Sequence, residues 1–391
     1  MAFKLSGIAG GGAGVSIDGR HVVRTGPTTL YAVHSTALTS SQILWSKSID
    51  NGMTWSVPQL ALASSTVNAM SVWYDQWTPG DSGTRIHIAA LDVGGDDVRY
   101  AYLDTANDTI GGAVVVFAGA SFTTAVCSMT KARGGYLYIG FDGDTGTEKG
   151  FYRSVDAGAN WTSRTDSLNE ATPTGDVYQL MPGNYADNQD IDAVFWDSSA
   201  SEISLKTYDD SANSWAESSI SGSMTGVSKA TAGPQLSASI RHSDGHLILV
   251  AWNSRDVATA DLMCWDINGS GSITAKTDVV TNADDCQAAL LSIDQSTDHL
   301  YVFYLGKSDG SEVVGTAVGV YFKVSTDGGT TWGAEQTLLS ETGNFSGIGG
   351  SISYSLPCFN VMVAVMSTLS PIAFVTFEDR SGAGRGIGRG M

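Results

Sequence analysis

The sequence predicts an all-β chain: a seven-bladed β-propeller of four-stranded antiparallel blades, with an N-terminal strand closing the last blade. Three observations predict it. Short alternating or wholly apolar runs bounded by Gly, Asn, Asp and Ser recur throughout, and no segment sustains the 3.6-residue apolar period of a helix. A turn pattern, S-x-D-x-G-x-[TN]-W, occurs as Ser48, Asp50, Gly52, Trp55, again as Ser154, Asp156, Gly158, Trp161, and again as Ser325, Asp327, Gly329, Trp332. Weaker relatives at Asp104, Asp209 and Asp266 fill the gaps, so the reference aspartates step by 52 to 61 residues, a blade length.

Within each period the order of elements repeats: a strand, a more apolar strand, then the strand that enters the turn. The more apolar strand is expected at 30–34, 86–91, 136–141, 191–196, 247–252, 300–304 and 360–366, which makes seven. The seventh has a partner before it (351–357) and one after it (372–378), but the chain then ends without a fourth strand. A strand within residues 14–18 would supply it, and pairing the two ends would remove the open edges that template aggregation. The alternative is a six-bladed ring in which the last three strands form an appendage or complete the first blade. The expected organisation is a Gly-rich N-terminal arm (1–13), the propeller (14–380) and a Gly/Arg-rich tail (381–391).

A chain of 391 residues with 46 glycines and 16% charged residues fits one large turn-rich β domain. A formal charge of −19 with only 21 Lys and Arg excludes nucleic acid as a partner, because phosphate neutralisation needs basic side chains. The first residues lack the apolar stretch of a secretory signal, and no run reaches membrane-spanning length, so synthesis in a bacterial cytoplasm and release by lysis is expected. Cys127, Cys264, Cys286 and Cys358 are far apart, which predicts buried thiols rather than a metal site. Acidic turns at 92–97, 142–148 and 284–285 could offer oxygens to calcium, but none matches a twelve-residue calcium loop, so no cofactor is expected.

In the repeated turn, Ser and Asp can exchange hydrogen bonds with nearby backbone, Gly supplies a positive φ, and Trp inserts between strands. The pattern resembles the Asp box, or bacterial neuraminidase repeat, of sialidases. The resemblance implies that these residues lie on the hairpin between the third and fourth strands of a blade, at its outer edge, and serve the fold. It also implies where chemistry would lie: an arginine triad gripping a carboxylate, a tyrosine nucleophile activated by a glutamate, and an acid/base aspartate. The Arg-Ile-Pro signature of those enzymes is missing, since the matching region reads Arg20-His21-Val22-Val23-Arg24. Arg24 and Arg241 are the triad candidates, and a third arginine would come from Arg85, Arg133 or Arg255. No tyrosine stands out beside a glutamate.

Trp73, Tyr74, Trp77 and Trp252 are candidates for stacking on sugar rings. Arg380, Arg385 and Arg389 make a basic tail on an acidic body, suited to docking on an acidic neighbour. Sialidase-type turns without the triad signature are similar to the Asp-box propellers of bacteriophage tail and capsid-decorating proteins. That resemblance implies a non-enzymatic structural or adhesion module, located in the virion or extracellular after lysis, with other virion proteins and host-surface glycans as partners. The alternative is a sialidase-like glycoside hydrolase of the exo-α-sialidase type.

Overall fold

The computed structural model describes residues 2–4, 20–35, 42–64, 67–92, 94–119, 126–143, 149–165, 167–168, 176–197, 199–222, 224, 236–253, 262–281, 286–306, 317–349, 353–354, 361–367 and 370–377. Consecutive runs of four antiparallel strands form six blades. Blade 1 comprises Val22–Arg24, Leu30–Ser35, Ile43–Ser48 and Gln59–Leu62. Blade 2 comprises Val67–Tyr74, Arg85–Asp92, Asp97–Asp104 and Thr109–Ala118. Blade 3 comprises Val126–Lys131, Leu137–Asp142, Lys149–Ser154 and Thr162–Ser163. Blade 4 comprises Val177–Pro182, Ile191–Asp197, Glu202–Asp209 and Ser214–Ser221. Blade 5 comprises Leu236–Ile240, Leu247–Trp252, Leu262–Ile267 and Ile273–Ala275. Blade 6 comprises Cys286–Asp294, His299–Gly306, Ala317–Ser325 and Gln336–Gly349.

The first six of the more apolar strands expected from the sequence are all second strands of blades. The seventh blade is not formed. Val361–Ser367 and Ser370–Phe377 make a hairpin, but the hairpin continues the sheet of blade 6. The reason is the length of the fourth strand of that blade, Gln336–Gly349: its first half pairs with Ala317–Ser325 and its second half with Val361–Ser367. The short strand Ser353–Tyr354, which the seven-bladed reading places beside this hairpin, instead pairs in parallel with the innermost strand of blade 6. The six-bladed alternative with an appendage is therefore the observed one.

The chain ends do meet, through different residues from those expected. Ala2–Lys4 pairs antiparallel with Ser370–Phe377. Residues 14–18 and the tail 381–391, with Arg380, Arg385 and Arg389, lie outside the described residues.

Burial falls from the axis outward, as the residue types dictate. Second strands such as Leu137–Asp142 and Leu247–Trp252 are buried at every position, because both faces pack on neighbouring blades. The outer strand Ser214–Ser221 is mostly exposed and polar. Helix among the described residues is one 3-10 turn, Asp75–Trp77. Each blade's first-to-second and third-to-fourth turns lie at one end of the barrel of strands, here called the turn face.

Neighbouring blades are joined near the axis by a recurring device. Ser71 Oγ accepts the Met129 N–H (3.0 Å), Ser128 Oγ the Leu180 N–H (2.9 Å), Gln179 Oε1 the Ala238 N–H (2.8 Å) and Ser237 Oγ the Leu291 N–H (3.0 Å). Each side chain is buried in an innermost strand and bonds the innermost strand of the next blade. Such fully satisfied buried polar bonds fix the blades in register.

Candidate functional site

The three repeated turns share one hydrogen-bond pattern on the third-to-fourth hairpins of blades 1, 3 and 6. Ser Oγ donates to Asp Oδ1 at 2.8 Å and accepts the Gly N–H at 2.8 Å in all three. The same Asp Oδ1 accepts the N–H of Thr54, Asn160 or Thr331 at 2.8 to 2.9 Å, and Oδ2 takes that residue's side chain at 2.6 to 2.7 Å. Hydrogen bonds from the Thr331 side chain and backbone and from Ser325 pull the Asp327 carboxyl down to about 2. Gly52, Gly158 and Gly329 have φ of +81°, +91° and +87°, the left-handed region that glycine enters freely.

Two of these turns also clamp blades together. Trp161 of blade 3 packs edge-on against Tyr100 of blade 2, ring centroids 5.1 Å apart. Trp332 of blade 6 donates Nε1–H to the Thr277 carbonyl at 2.8 Å, just beyond the outer strand of blade 5. The weaker relatives work differently. Asp104 and Asp209 accept bonds from their own turns, from Ala106 N (3.0 Å) and Ala212 N (2.8 Å), whereas in blade 5 the turn is held by Asn268. Asp266 points instead to His246 Nδ1 at 2.6 Å.

The triad candidates are not brought together. Arg24 Nη2 bonds the Pro27 carbonyl and Asn51 Oδ1, both in blade 1. Arg241 makes a forked pair with Asp244, Nε to Oδ1 at 3.1 Å and Nη2 to Oδ2 at 2.6 Å, and reaches Asp266 at 3.3 Å. Both guanidinium groups thus turn toward the outer part of their own blades. Arg85 lies over the Tyr102 ring, 4.0 Å from its centroid. Arg255 lies outside the described residues. A Tyr–Glu pair does exist, Tyr304 OH to Glu335 Oε2 at 2.5 Å, but Glu335 stands at the start of the outer strand of blade 6, away from the axis.

The axis is occupied by a residue whose sequence context marked only a missing signature. Arg20 is fully buried, and its guanidinium donates to the Met129 and Leu180 carbonyls at 3.2 Å. It also lies 5.0 Å from the Trp73 ring centroid, so one side chain from blade 1 meets blades 2, 3 and 4.

The aromatic stacking candidates are interior. Trp73 is 0%, Tyr74 3%, Trp77 3% and Trp252 1% exposed, so none of them offers a ring face to a sugar in this structure. The reason is that the 3-10 turn after Tyr74 folds back on the strand: Trp73 and Trp77 pack edge-to-face at 5.7 Å, and Trp73 Nε1 donates to Thr78 Oγ1 at 3.0 Å. Trp252 Nε1 ties blade 5 to the Cys286 carbonyl of blade 6 at 2.8 Å.

On the turn face, near the axis, several first-to-second turns converge. His242 of blade 5 lies with Nε2 3.4 Å from the Trp77 carbonyl of blade 2, while its backbone N–H donates to Gln295 Oε1 of blade 6 at 2.8 Å. Burial lowers the His242 value, and Arg133 adds to the effect. Arg133 of blade 3 approaches Gly245 of blade 5 and Asn184 of blade 4. Its Nε and Nη2 are buried without a hydrogen-bond partner.

Nearby, buried Asp192 accepts from Tyr185 OH (2.8 Å) and Thr207 Oγ1 (3.1 Å). Burial pushes its carboxyl up to about 7, against those hydrogen bonds and the charge of Arg133, with Asp190 raising it further. A second buried network lies between blades 2 and 3: Asp75 accepts from Lys131 Nζ at 2.5 Å and bonds His87 Nε2 at 2.9 Å, and His87 Nδ1 meets Tyr100 OH at 2.8 Å. Burial alone would raise the Asp75 carboxyl, but His87 and Lys131 outweigh it and hold it below its ordinary range.

No cluster of three or more metal-ligating residues occurs among the described residues. Of the calcium candidates, Asp92 and Asp97 are bound to Arg99 at 3.4 and 3.0 Å, while residues 144–148 and 284–285 lie outside the described residues. Cys127, Cys264 and Cys286 are buried, and Cys358 lies outside the described residues. Among the described residues no helix is long and apolar enough to cross a membrane.

No protein-family model and no curated protein matches the chain. Solved structures do. An ulvan lyase of polysaccharide lyase family PL25 is similar at 12% identity and a TM-score of 0.57, covering 97% of this chain and 96% of that one. A Hadza microbial sialidase is similar at 14% identity and a TM-score of 0.51, covering 97% of this chain and 68% of that one. YCF48 bound to D1 peptide is similar at 12% identity and a TM-score of 0.51, covering 98% and 96%. At these identities the likeness establishes the fold, a sialidase-like β-propeller, and one that serves a lyase, a sialidase and a peptide-bound protein alike.

Proposed function

We propose that the chain is a non-enzymatic binding propeller, a rigid ring that adheres to cell-surface carbohydrate and to neighbouring proteins of a bacteriophage virion. The observation that carries this reading is the filled axis. Arg20 occupies the centre where blades 1 to 4 meet, and Arg24 and Arg241 are tied into turns of their own blades. A hydrolase of the sialidase type needs guanidinium groups free to grip a substrate carboxylate beside a nucleophile. Carbohydrate is taken as the ligand class from the ulvan lyase and the sialidase that share the fold. The virion setting is supported by the turn pattern and by a basic 380–389 segment on an acidic chain.

The test has two arms. The purified chain is assayed on a fluorogenic sialoside and on a glycan array, with saturable retention on defined glycans and no turnover expected. Turnover abolished by Arg241→Ala would establish the sialidase-like hydrolase instead. Particles from a lysate are then purified and analysed by mass spectrometry, with the chain expected at fixed stoichiometry. Its recovery only in the soluble fraction would refute the virion assignment.

A further inference from the structure

We propose that the third-to-fourth hairpin of blade 1 is a self-complementary contact surface through which the chain pairs with a second copy of itself. Among the described residues six large apolar side chains are exposed, and four of them, Ile49, Met53, Val57 and Leu60, belong to this one hairpin. They are between 48 and 76% exposed.

The fold does not call for them. The hairpin carries the first of the three repeated turns, and the other two show what such a turn needs. The hydrogen bonds among Ser, Asp and Gly have the same lengths in all three. Where blade 1 has Ile49, Met53 and Val57, blade 3 has Val155, Ala159 and Ser163, and blade 6 has Thr326, Thr330 and Ala334. Small and polar residues at these positions leave the turn intact, so the apolar surface of blade 1 serves something outside it.

Size and position say what covers it. Four side chains open to this degree present on the order of 400 to 500 Å² of apolar surface, as large as the patches that mark interaction sites on soluble chains. One side of a standard protein interface is about 800 Å², and in homodimers about two-thirds of it is apolar, so the patch matches the apolar part of one such side. It lies on the rim, because Gln59–Leu62 is the outermost strand of blade 1. That strand has four residues and follows Pro58, which has no N–H, so the contact is made by side chains and not by adding a strand.

Charge selects the partner. Two copies each carry −19 and repel at long range, which favours contact where neither presents charge. The charged residues from Ile43 to Leu62 are Lys47 and Asp50 alone. Asp50 is engaged by Ser48 and Thr54, and Lys47 is paired with Asp108 at 2.7 Å. The hairpin thus offers no unpaired charge to a basic or an acidic partner, whereas an apolar surface meeting its own copy across a two-fold axis needs none.

The experiment is sedimentation velocity on the full chain, and a monomer–dimer equilibrium with a Kd on the order of 10 µM is expected. Ile49→Thr, Met53→Thr and Val57→Ala together place the blade 6 residues on the blade 1 turn and are expected to weaken the dimer at least tenfold. Val57→Asp alone sets two like charges against each other across the axis; it is expected to do the same, and it carries the test if the triple variant does not fold by urea titration. Val155→Thr, at the equivalent position of blade 3, is expected to leave the dimer unchanged. Added NaCl is expected to strengthen it, by screening the repulsion while leaving the apolar contact. A parent chain that stays monomeric up to about ten times that Kd overturns the proposal. So does a dimer that persists in either folded variant, that Val155→Thr weakens equally, or that salt dissociates.

Discussion

Asp192→Asn should convert a pH-dependent protein into one that is less so. Asp192 is 6% exposed, and its carboxyl titrates at about 7 against an ordinary value of 3.8. Because the folded value lies above the unfolded one, the native state holds a proton that the unfolded chain has already released between those two values. Stability must then fall as pH rises through that window and level off above about pH 7. A shift of about 3 units at about 1.36 kcal/mol per unit sets the loss on the order of 4 kcal/mol. Asparagine keeps an oxygen for Tyr185 OH and Thr207 Oγ1 and has no proton to lose. Urea denaturation of both proteins from pH 5 to 9 reads the effect. The variant is expected to exceed the parent by about 1 to 2 kcal/mol at pH 5, where part of the window is already crossed, and by about 4 kcal/mol at pH 8.5. Other buried groups that titrate, among them His21, pushed down to about 3 by burial and by His34, are common to both chains and cancel in the difference. Parallel stability profiles for the two proteins would refute the reasoning.

Four further changes test the fold's staples. Gly158→Ala should destabilise by about 3 kcal/mol or more, because φ is +91° and the new Cβ would lie 2.1 Å from the buried Tyr100 ring. Gly271→Ala, at φ +79° with nothing within 4 Å, should cost only about 1 kcal/mol, so equal losses in thermal or urea unfolding would refute the packing argument. Ser154→Ala removes a buried hydroxyl that accepts the Gly158 N–H and donates to Asp156, a loss of about 1 to 2 kcal/mol by urea titration, and no loss would mean the turn holds without it. Arg20→Met should cost about 3 kcal/mol in the same assay, since it strips donors from the Met129 and Leu180 carbonyls; a neutral result would show that the axis does not depend on them.

The parts of this fold that were legible are those written in local chemistry. Ser48, Asp50, Gly52 and Trp55 specify their turn with atoms of the turn itself, and the same holds at Ser154 and Ser325. The six second strands were legible because a run buried on both faces must be apolar at nearly every position. Illegible features depend on where a neighbour sits. Trp73, Tyr74 and Trp77, beside Asp75, Gln76 and Pro79, have the composition of an exposed loop, but the innermost strand Val67–Tyr74 and the fold-back of the 3-10 turn after it bury them. Arg133, in a Lys-Ala-Arg-Gly-Gly turn, gives no local hint that Asn184 and Gly245 of two other blades will face it. The serines at 71, 128 and 237 did carry a signal, a small polar residue inside an innermost apolar strand, recurring near the blade period.

Blade number shows how such non-local contacts decide what local pattern leaves open. The hairpin of Val361–Ser367 and Ser370–Phe377 has the composition of a blade, and local pattern alone counts it as one. The axis contacts count differently. His242 of blade 5 meets the Trp77 carbonyl of blade 2, and in a ring of six those blades face each other directly across the centre. A seventh blade would widen the ring and leave no blade diametrically opposite another, so this bridge would open. Arg20 adds the same constraint, since one guanidinium can reach Trp73, Met129 and Leu180 together only where the innermost strands crowd closely. The long strand Gln336–Gly349 then gives the surplus hairpin an edge to join without entering the ring. The bridge from blade 5 to blade 2 and the polar cluster around Arg133 are thus consequences of the same narrow axis.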